Sequence, residues 1–261
     1  MIGDIAEDVD VDGPRRGRIG WTTSASTAAQ TAGTIRRIVS LLMWHAGSHM
    51  VRHAFLSVSL ILGALTAAAP QPLTWRFTNI RELGGYKTTV LGHPKVVGNA
   101  IEFNGVADAL FVDVHPLAGA ETFTWEVIFR PDVGGNAEQR FFHLQERGTE
   151  NRMLFEIRVI GDQWCLDSFA MSPSGSKALM DRAKLHALGK WYAVAAVYDG
   201  HWYRNYVNGV EQNAAEIKLS PQREGQTSVG VRINRVDYFK GAVRLARMTP
   251  RALSPSEFLK P

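Results

Sequence analysis

Five polar residues with the chemistry to hold a sugar are concentrated in two neighbouring segments of the sequence: His143, Gln145, Arg152, Glu156 and Arg158. Successive side chains of a strand point to opposite faces, so the first two share a face of one strand and the other three share a face of the next. Arginine binds carboxylates and paired hydroxyls through its planar fork, and histidine and glutamine exchange hydrogen bonds with hydroxyl groups. If the residues between the segments form a turn, the pattern predicts one continuous polar surface that binds a glycan.

Aromatic side chains could complete such a surface. Trp164 and Asp167 follow on the next predicted strand, and Trp202 or Tyr206 offer further rings that could pack against a sugar. The competing interpretation is a solvated sheet face, on which a same-face ion pair such as Arg152 with Glu156 would contribute little stability.

A catalytic use of the same surface is an alternative. A polysaccharide lyase neutralises a uronate carboxylate and moves a proton, roles that Arg152, His143 and Tyr203 could fill. A glycosidase of this kind needs two carboxylates, and the expected E-x-D-x-x-E pattern is absent from the sequence. The single cysteine, Cys165, lies within a predicted strand and is predicted to be a small buried residue rather than a nucleophile.

The composition is that of a folded protein built from strands. The chain has 261 residues, of which 45% are hydrophobic and 21% charged, with 24 glycines and 11 prolines. Its 29 basic residues are scattered among 25 acidic ones without a Lys/Arg block, which argues against nucleic acid as a partner. One cysteine excludes an intramolecular disulfide, so a packed core must supply the stability.

The first quarter of the sequence differs from the rest. Residues 1–49 lack sustained periodicity and are predicted to be a disordered extension, or the result of a start codon placed too early. Residues 50–69 carry Arg52 and His53 before an apolar run and then small residues, which is the pattern of a secretory signal peptide. The run is about a dozen residues, short of the roughly 20 that span a membrane. We therefore expect a mature domain of residues 70–261 that is secreted, periplasmic or at the cell surface and does not insert into the membrane.

From residue 100 onwards, short alternating segments are separated by Gly, Pro, Asn and Asp, which is typical of an antiparallel sandwich or barrel. Residues 122–130 are the clearest case, since every second residue is large and apolar and the intervening ones are predicted to face solvent. Residues 191–198 are apolar on both faces, as in a covered central strand. The dipeptides Asp-Gly at 199–200 and Asn-Gly at 208–209 predict hairpins.

About a dozen strands in this length predict two stacked sheets. A single short helix is predicted at 255–259, after Ser254 as its N-cap. The predicted strands are residues 100–104, 109–114, 122–130, 139–146, 152–160, 163–170, 191–198, 201–207, 211–217, 226–234 and 239–248.

Five segments resemble, in order and spacing, the laminin-G-like domains of the concanavalin A-like lectin and glucanase superfamily. They are residues 100–108 (AIEFNGVAD), 123–131 (FTWEVIFRP), 191–200 (WYAVAAVYDG), 206–210 (YVNGV) and the C-terminal FKG and RALS motifs. The resemblance implies an all-β fold, a two-sheet antiparallel jelly-roll sandwich, with a concave polar face on which a sugar polymer can lie. Because one fold hosts many sites, it implies less about function.

Calcium is the cofactor that the resemblance raises. This chain has Ala107 where the family has the first aspartate of its opening turn, and Val243 and Arg244 where the family has an acidic pair. Hard cations need several oxygens converging at about 2.3 to 2.6 Å, so these departures weaken the case, and no cofactor is firmly predicted. The remaining candidate ligands are Asp108, Asp113 and Asp132.

These features together predict an exported, non-catalytic module that binds a glycan or a protein surface. The predicted partner is a polysaccharide or glycan. The alternatives are a polysaccharide lyase or glycoside hydrolase of the same fold, and a structural module of the cell surface.

Overall fold

A computed structural model describes residues 71–261; the predicted disordered extension and signal peptide lie outside the described residues. Within 71–261 the chain forms seventeen strands and one turn of 3-10 helix. No helix in this part of the chain is long and apolar enough to cross a membrane. The strands pair antiparallel in two sheets, which confirms the predicted all-β jelly-roll sandwich.

The strands have the following bounds: β1 Leu73–Arg76, β2 Glu82–Leu83, β3 Tyr86–Leu91, β4 Lys95–Val97, β5 Ala100–Asn104, β6 Ala109–Val112, β7 Phe123–Pro131, β8 Glu138–Glu146, β9 Arg152–Ile160, β10 Gln163–Ser172, β11 Gly175–Met180, β12 His186–Ala187, β13 Tyr192–Tyr198, β14 Trp202–Val207, β15 Val210–Glu216, β16 Gly225–Val229 and β17 Lys240–Thr249.

The first sheet contains eight strands in the order β15-β14-β13-β7-β17-β5-β4, and β1 pairs with the second half of β17. The second sheet contains nine strands in the order β11-β10-β9-β8-β16-β6-β3-β2, and β12 pairs with the start of β10. The inner faces of the two sheets enclose the main hydrophobic core.

Alternation along β7 places its large apolar residues in this core, as predicted. Phe129 stacks on Phe141 of the second sheet with ring centroids 4.2 Å apart. Trp125 lies 4.2 Å from Phe155, also of the second sheet. Aromatic pairs of this kind stabilise by roughly 0.5 to 1.5 kcal/mol beyond their buried area, so they fix how the two sheets face each other.

The other face of β7 is also buried, so the prediction that it faces solvent is wrong. The Thr124 hydroxyl accepts the backbone N–H of Leu253 at 2.8 Å, and the Glu126 carboxylate accepts that of Leu259 at 2.7 Å. Residues 251–259 therefore cover this face. A cover supplied by a segment so distant in the sequence leaves no trace in the local alternation.

The two predicted hairpins are confirmed. Asn208 and Gly209 have φ values of 51° and 81°, in the left-handed region that a type I′ turn requires. The Asp199 carboxylate accepts the backbone N–H groups of His201 and Trp202 at 2.9 and 2.7 Å, which closes the preceding turn. The predicted C-terminal helix is shorter than expected, a single 3-10 turn at Pro255–Glu257.

The predicted strand 226–234 ends at Val229, and residues 230–239 form a loop. Gly230 has a φ of 87°, and a Cβ there would overlap the Phe103 ring, so the chain turns out of the sheet at this position. The loop crosses the outer face of the second sheet, where the backbone N–H of Ile233 donates to His143. Strands β1–β4, β11 and β12 are further elements that the sequence pattern did not predict.

Candidate functional site

The polar residues singled out in the sequence are arranged on the outer face of β8, β9, β10 and β16, called the polar face below. Strand register orders this face in cross-strand rows. One row, called the Gln–Arg row, is made of Gln226, Gln145, Arg152 and Met171. All four of its members are half-buried, so the row reaches solvent.

A β-bulge in β8 decides which residues reach the polar face. The register against β9 shifts between Arg140 and Phe142, and Phe141 and Phe142 both enter the core. Arg140 and His143 therefore both point outward although they are three residues apart. Strict alternation places Arg140 on the inner face, which is why sequence reasoning missed it.

Ion pairs occupy the row that contains Glu156. Arg140 Nε donates to Glu156 at 2.7 Å and pairs with Asp237 of the crossing loop. One terminal nitrogen of Arg158 donates to both Glu156 and Asp167, at 3.0 and 2.7 Å. Glu156 and Arg158 side chains are 7% and 15% exposed. The structure therefore places these two predicted ligand-binding residues inside a network of ion pairs rather than on an open surface.

Burial raises the pKa of Glu156, and the neighbouring carboxylate of Asp167 raises it further. Arg140 and Arg158 act in the opposite direction. The two carboxyl groups share a guanidinium nitrogen, so their nearest oxygens are less than about 6 Å apart, an upper limit that includes the separation of about 5 to 5.5 Å in retaining glycosidases. Both are nearly buried and already paired, which leaves a sugar no direct access to them.

His143 is fully buried under the crossing loop, which corrects the prediction that it lies on an exposed surface. Its Nδ1 accepts the backbone N–H of Ile233 at 3.0 Å, so the ring is neutral with its proton on Nε2. Burial, followed by the charges of Arg232 and Arg152, lowers the pKa of His143 to about 2. A group with this pKa is a very weak base at neutral pH.

Arg152 is the charged member of the Gln–Arg row. Its guanidinium lies 4.8 Å from the centroid of the Phe169 ring and donates to the backbone carbonyl of Glu150 at 2.8 Å. It pairs with the exposed Glu150 carboxylate at 3.3 Å, not with Glu156 as predicted. Its Nε is buried and has no hydrogen-bond partner. Burial, followed by the charge of Arg232, lowers the pKa of Arg152, while the carboxylates of Glu150 and Glu156 act in the opposite direction.

Three further polar groups near Arg152 have free hydrogen-bonding capacity. Arg232, on the crossing loop, is half-buried and forms no ion pair with any residue of 71–261. Gln145 donates its amide N–H to the carbonyl of Thr149 at 2.6 Å, which leaves its side-chain oxygen available. The amide of Gln226 makes no side-chain hydrogen bond in the described part of the chain. Arg232 and Gln226 are site residues that sequence reasoning missed, because only the strand register and the loop bring them to this row.

The predicted stacking residues do not lie on the polar face. Trp164 is fully buried in the core, 5.2 Å from Phe129, because it alternates with the outward residues of β10. Trp202 and Tyr206 are on β14 of the first sheet, where Tyr206 packs against Phe258 at 5.1 Å. The aromatic ring that the polar face does offer is Phe169, beneath Arg152.

The three residues of the lyase hypothesis are not brought together. Tyr203 is fully buried on the inner side of the first sheet, and burial raises the pKa of its hydroxyl. His143 and Arg152 lie on the outer side of the second sheet. The core of the sandwich separates Tyr203 from the other two.

Cys165 is buried, as predicted. Burial raises the pKa of its thiol above the ordinary value, which disfavours the thiolate that acts as a nucleophile.

The three candidate calcium ligands are separately engaged. The Asp108 carboxylate is buried and accepts two backbone N–H groups at 2.7 and 3.1 Å. Asp132 binds Arg130 at 2.7 Å, and Asp113 binds Arg147 at 2.5 Å. Within residues 71–261 no three His, Cys, Asp or Glu side chains converge as a metal site would require. These residues therefore do not fit a calcium ion.

The model of the concanavalin A-like lectin/glucanase superfamily (Laminin_G_3) matches residues 104–258. Among the curated proteins none matches the sequence. Among solved structures, the botulinum neurotoxin serotype D binding domain is similar with a TM-score of 0.54 and 14% identity over 70% of this chain and 48% of that chain.

The same toxin domain in complex with N-acetylneuraminic acid has a TM-score of 0.52 and 13% identity, over 70% of this chain and 48% of that one. The botulinum neurotoxin DC binding domain in complex with rat synaptotagmin II has a TM-score of 0.52 and 11% identity, over 71% and 49%. The chain thus spans about half the length of these structures. At these identities the likeness concerns the fold.

Proposed function

The chain belongs to the concanavalin A-like lectin/glucanase superfamily, and on this premise we propose that it is a non-catalytic module that binds an anionic glycan at the Gln–Arg row. The observation that carries the proposal is Arg152, whose guanidinium is held over the Phe169 ring with an unpartnered, buried Nε. The buried Nε is closed to a ligand, but Nη2 makes no hydrogen bond within residues 71–261 and is not buried, so a ligand oxygen can accept from it. The toxin domain solved with N-acetylneuraminic acid contains this fold in about half of its length, which agrees with a sugar-binding role for a protein that contains the fold.

The charge around Arg152 supports an acidic sugar. Arg152 and Arg232 repel each other, and the acidic partner of Arg152 at this end of the face is the exposed Glu150. A uronate or sialate carboxylate between the two guanidinium groups would relieve this repulsion and accept charge-assisted hydrogen bonds. The oxygen of Gln145 and the amide of Gln226 lie on the same row and could exchange hydrogen bonds with sugar hydroxyls.

Three features support binding without catalysis. His143 has a pKa of about 2 and is covered by the loop, which disfavours it as the base of a lyase. Tyr203 lies inside the sandwich. Glu156 and Asp167 are both held by Arg158, which disfavours them as the acid and nucleophile of a glycosidase.

The runner-up is a glycosidase that uses Glu156 and Asp167, favoured by their shared contact and the raised pKa of Glu156. It requires the crossing loop and Arg158 to move. Export of the protein, through the signal peptide of residues 50–69, is part of the main proposal and rests on the sequence.

A glycan array probed with and without chelator tests the proposal. We expect wild-type protein to retain uronate- or sialate-bearing glycans in both conditions, and Arg152→Ala to lose them. Arg204→Ala is the matched control, since Arg204 is likewise stacked on a ring, at 5.3 Å from Trp202, and paired with an acid, but lies on the first sheet. Equal retention by Arg152→Ala and wild type would contradict binding at this row.

A turnover assay separates binding from catalysis. Wild-type protein incubated with uronate polymers should produce neither the ultraviolet absorbance of an unsaturated sugar nor new reducing ends. If wild-type protein released reducing ends and Glu156→Gln did not, the protein would be a glycosidase instead. Absence of any glycan binding or turnover would leave the structural-module hypothesis.

A further inference from the structure

A second basic site lies on the first sheet. A pocket of about 230 Å³ is lined by three cationic side chains, Arg76, Arg244 and Lys260, above an apolar floor of Ile128 and Leu245. It is called the Arg244 pocket below. The Gln–Arg row belongs to the second sheet, so the two sites share no residue.

A β-bulge in β17 aims Arg244 into this pocket. The register against β7 shifts between Val243 and Leu245, which leaves Arg244 without a partner on β7. Bulges re-aim side chains in this way and recur beside functional sites. On the opposite side of β17, Arg76 pairs directly with Leu245, so the second cation is brought next to the bulge by strand register.

Trp191 holds the Arg244 guanidinium in place. The guanidinium lies 4.3 Å from the centroid of the indole ring, a distance at which a cation is attracted to the ring face. The Nε of Arg244 is buried and has no hydrogen-bond partner. The terminal N–H groups of Arg244 also make no hydrogen bond within residues 71–261 and are not buried, so this fixed guanidinium is preorganised to receive an acceptor from a ligand through them.

No side-chain carboxylate of the described part of the chain neutralises the pocket, and the negative group that can offset part of its charge is the α-carboxylate of Pro261, which also lines it. Arg76, Arg244 and Lys260 form no ion pair with a carboxylate of residues 71–261. Arg130 provides the contrast, since it also lies over Trp191, at 5.4 Å, but is neutralised by Glu102 and Asp132 at 3.0 and 2.7 Å. Of the two arginines over this indole, Arg130 thus has acidic partners and Arg244 has none among the side chains of residues 71–261.

We propose that the Arg244 pocket binds a tetrahedral oxyanion, the sulfate or phosphate ester of a ligand. A phosphate monoester carries nearly two negative charges at neutral pH and compensates more of the three positive charges than one carboxylate does, whereas a sulfate ester carries one. Both esters present three oxygens that can accept from several donors at once. Asn99 and Thr78 also line the pocket and offer hydrogen bonds to the group that carries the ester. The floor formed by Ile128 and Leu245 suits the apolar side of a ring.

The test is a titration of the protein with sodium phosphate and, separately, with sodium sulfate, while sodium chloride holds the ionic strength constant. Binding is followed by the indole N–H resonance of Trp191, which is identified by its loss in Trp191→Phe. We expect a saturable shift of this resonance with both anions. Titrations with glucose 6-phosphate and glucose 6-sulfate then distinguish the two esters. The one that binds more tightly identifies the ester group that the pocket recognises.

Variants locate the binding. The double variant Arg76→Ala/Lys260→Ala removes two exposed side chains, so its fold should be retained. It should weaken phosphate binding by roughly tenfold or more. Arg244→Gln should abolish the saturable shift. Arg204→Ala is the control on the same sheet and should bind as wild type does.

Two results would overturn the proposal. One is the absence of a saturable shift at constant ionic strength, or a shift that a separate titration with sodium chloride reproduces and that is unchanged in Arg76→Ala/Lys260→Ala, because this is the behaviour of general screening. The other is loss of phosphate binding in Arg152→Ala, which would move the site to the Gln–Arg row. Arg152→Ala is expected to retain phosphate binding, and Arg244→Gln is expected to lose it. The glycan proposal and this proposal can therefore fail independently.

Discussion

Asp167 lies directly opposite Glu156 in the β9–β10 ladder, and the two carboxylates accept hydrogen bonds from the same nitrogen of Arg158. Like charges facing each other across a ladder destabilise a sheet unless a cation lies between them. Arg158 is therefore needed for the folding of the polar face, whatever that face binds. This separates it from Arg152, which lies on the same face of the same strand.

Removal of Arg158 should destabilise the fold. Arg158→Ala leaves two nearly buried carboxylates with less compensation, and breaking a buried ion pair in this way costs about 3 to 5 kcal/mol. Urea unfolding at pH 7 measures the loss. Arg147→Ala, at an exposed ion pair, should change the free energy of unfolding by less than about 1 kcal/mol. Equal values for the two variants would mean that the network contributes no stability.

Removal of Arg152 should affect binding more than stability. Arg152→Ala should weaken the affinity for an anionic glycan by about 1.5 to 3 kcal/mol, the usual contribution of a hydrogen bond to a charged group. Isothermal titration with a glycan selected on the array gives the affinity, and thermal melting monitors the fold. A variant that melts as wild type does and binds with unchanged affinity would argue against the Gln–Arg row.

Stability should fall in acid because of His143. The pKa of this residue is lowered from 6.5 to about 2 in the folded protein. Below pH 6.5 the unfolded chain takes up a proton that the folded protein does not, so each pH unit toward 2 removes up to about 1.4 kcal/mol of unfolding free energy. Burial lowers the pKa of His115 too, and adds a contribution of the same sign.

Urea unfolding of wild type and His143→Gln at pH 7 and pH 5 measures this effect. The variant should lose less unfolding free energy between the two pH values than wild type does. His201→Gln is the control, because it removes a histidine from the exposed surface and leaves the buried ring of His143 in place. The burial of His143 would be contradicted if both variants behaved as wild type.

The hairpin between β14 and β15 should be intolerant of a branched residue at Gly209. Its φ of 81° is in the left-handed region, and no atom lies close enough to obstruct a Cβ, so the cost of Gly209→Val is backbone strain of about 1 to 3 kcal/mol. Thermal melting measures it. Gly209→Asn is the control and should cost less, since asparagine tolerates positive φ. An unchanged melting temperature for Gly209→Val would contradict the turn.

Processing should remove the N-terminal segments. In a secreting bacterial host we expect the exported protein to begin between Ala68 and Pro70, because the small residues there suit a signal peptidase. Intact mass of the protein recovered outside the cytoplasm identifies the first residue. An exported chain that retains residues 1–49 would refute the signal-peptide interpretation.

Local patterns in the sequence were sufficient to predict the class of fold. The alternation in β7 identified core residues such as Trp125, and the Asn208-Gly209 dipeptide located a hairpin, because period-2 alternation and positive φ are properties of a few consecutive residues. The sequence was also sufficient to predict that Gln145 and Arg152 belong to one surface, since these residues flank a single turn.

The remaining part of the site depends on contacts that are distant in the sequence. The bulge at Phe141 brought Arg140 outward, and the loop of residues 230–239 covered His143 and brought Arg232 to the Gln–Arg row. Likewise, the cover over Glu126 comes from the end of the described chain. None of these contacts alters the local alternation of the residues that it buries, so alternation alone predicted exposed surfaces where the structure has buried ones.

The pairing of β1 with β17 has a consequence for how the protein is made. The first described strand hydrogen-bonds to the last, and β17 also lies between β7 and β5 at the centre of the first sheet. A nascent chain therefore lacks a central strand of this sheet until β17 has left the ribosome. Such long-range pairing slows folding, so a newly synthesised chain remains unfolded for longer than one whose sheets are built from neighbouring hairpins. A secretion channel that accepts only unfolded chains could bind the newly synthesised chain during that interval.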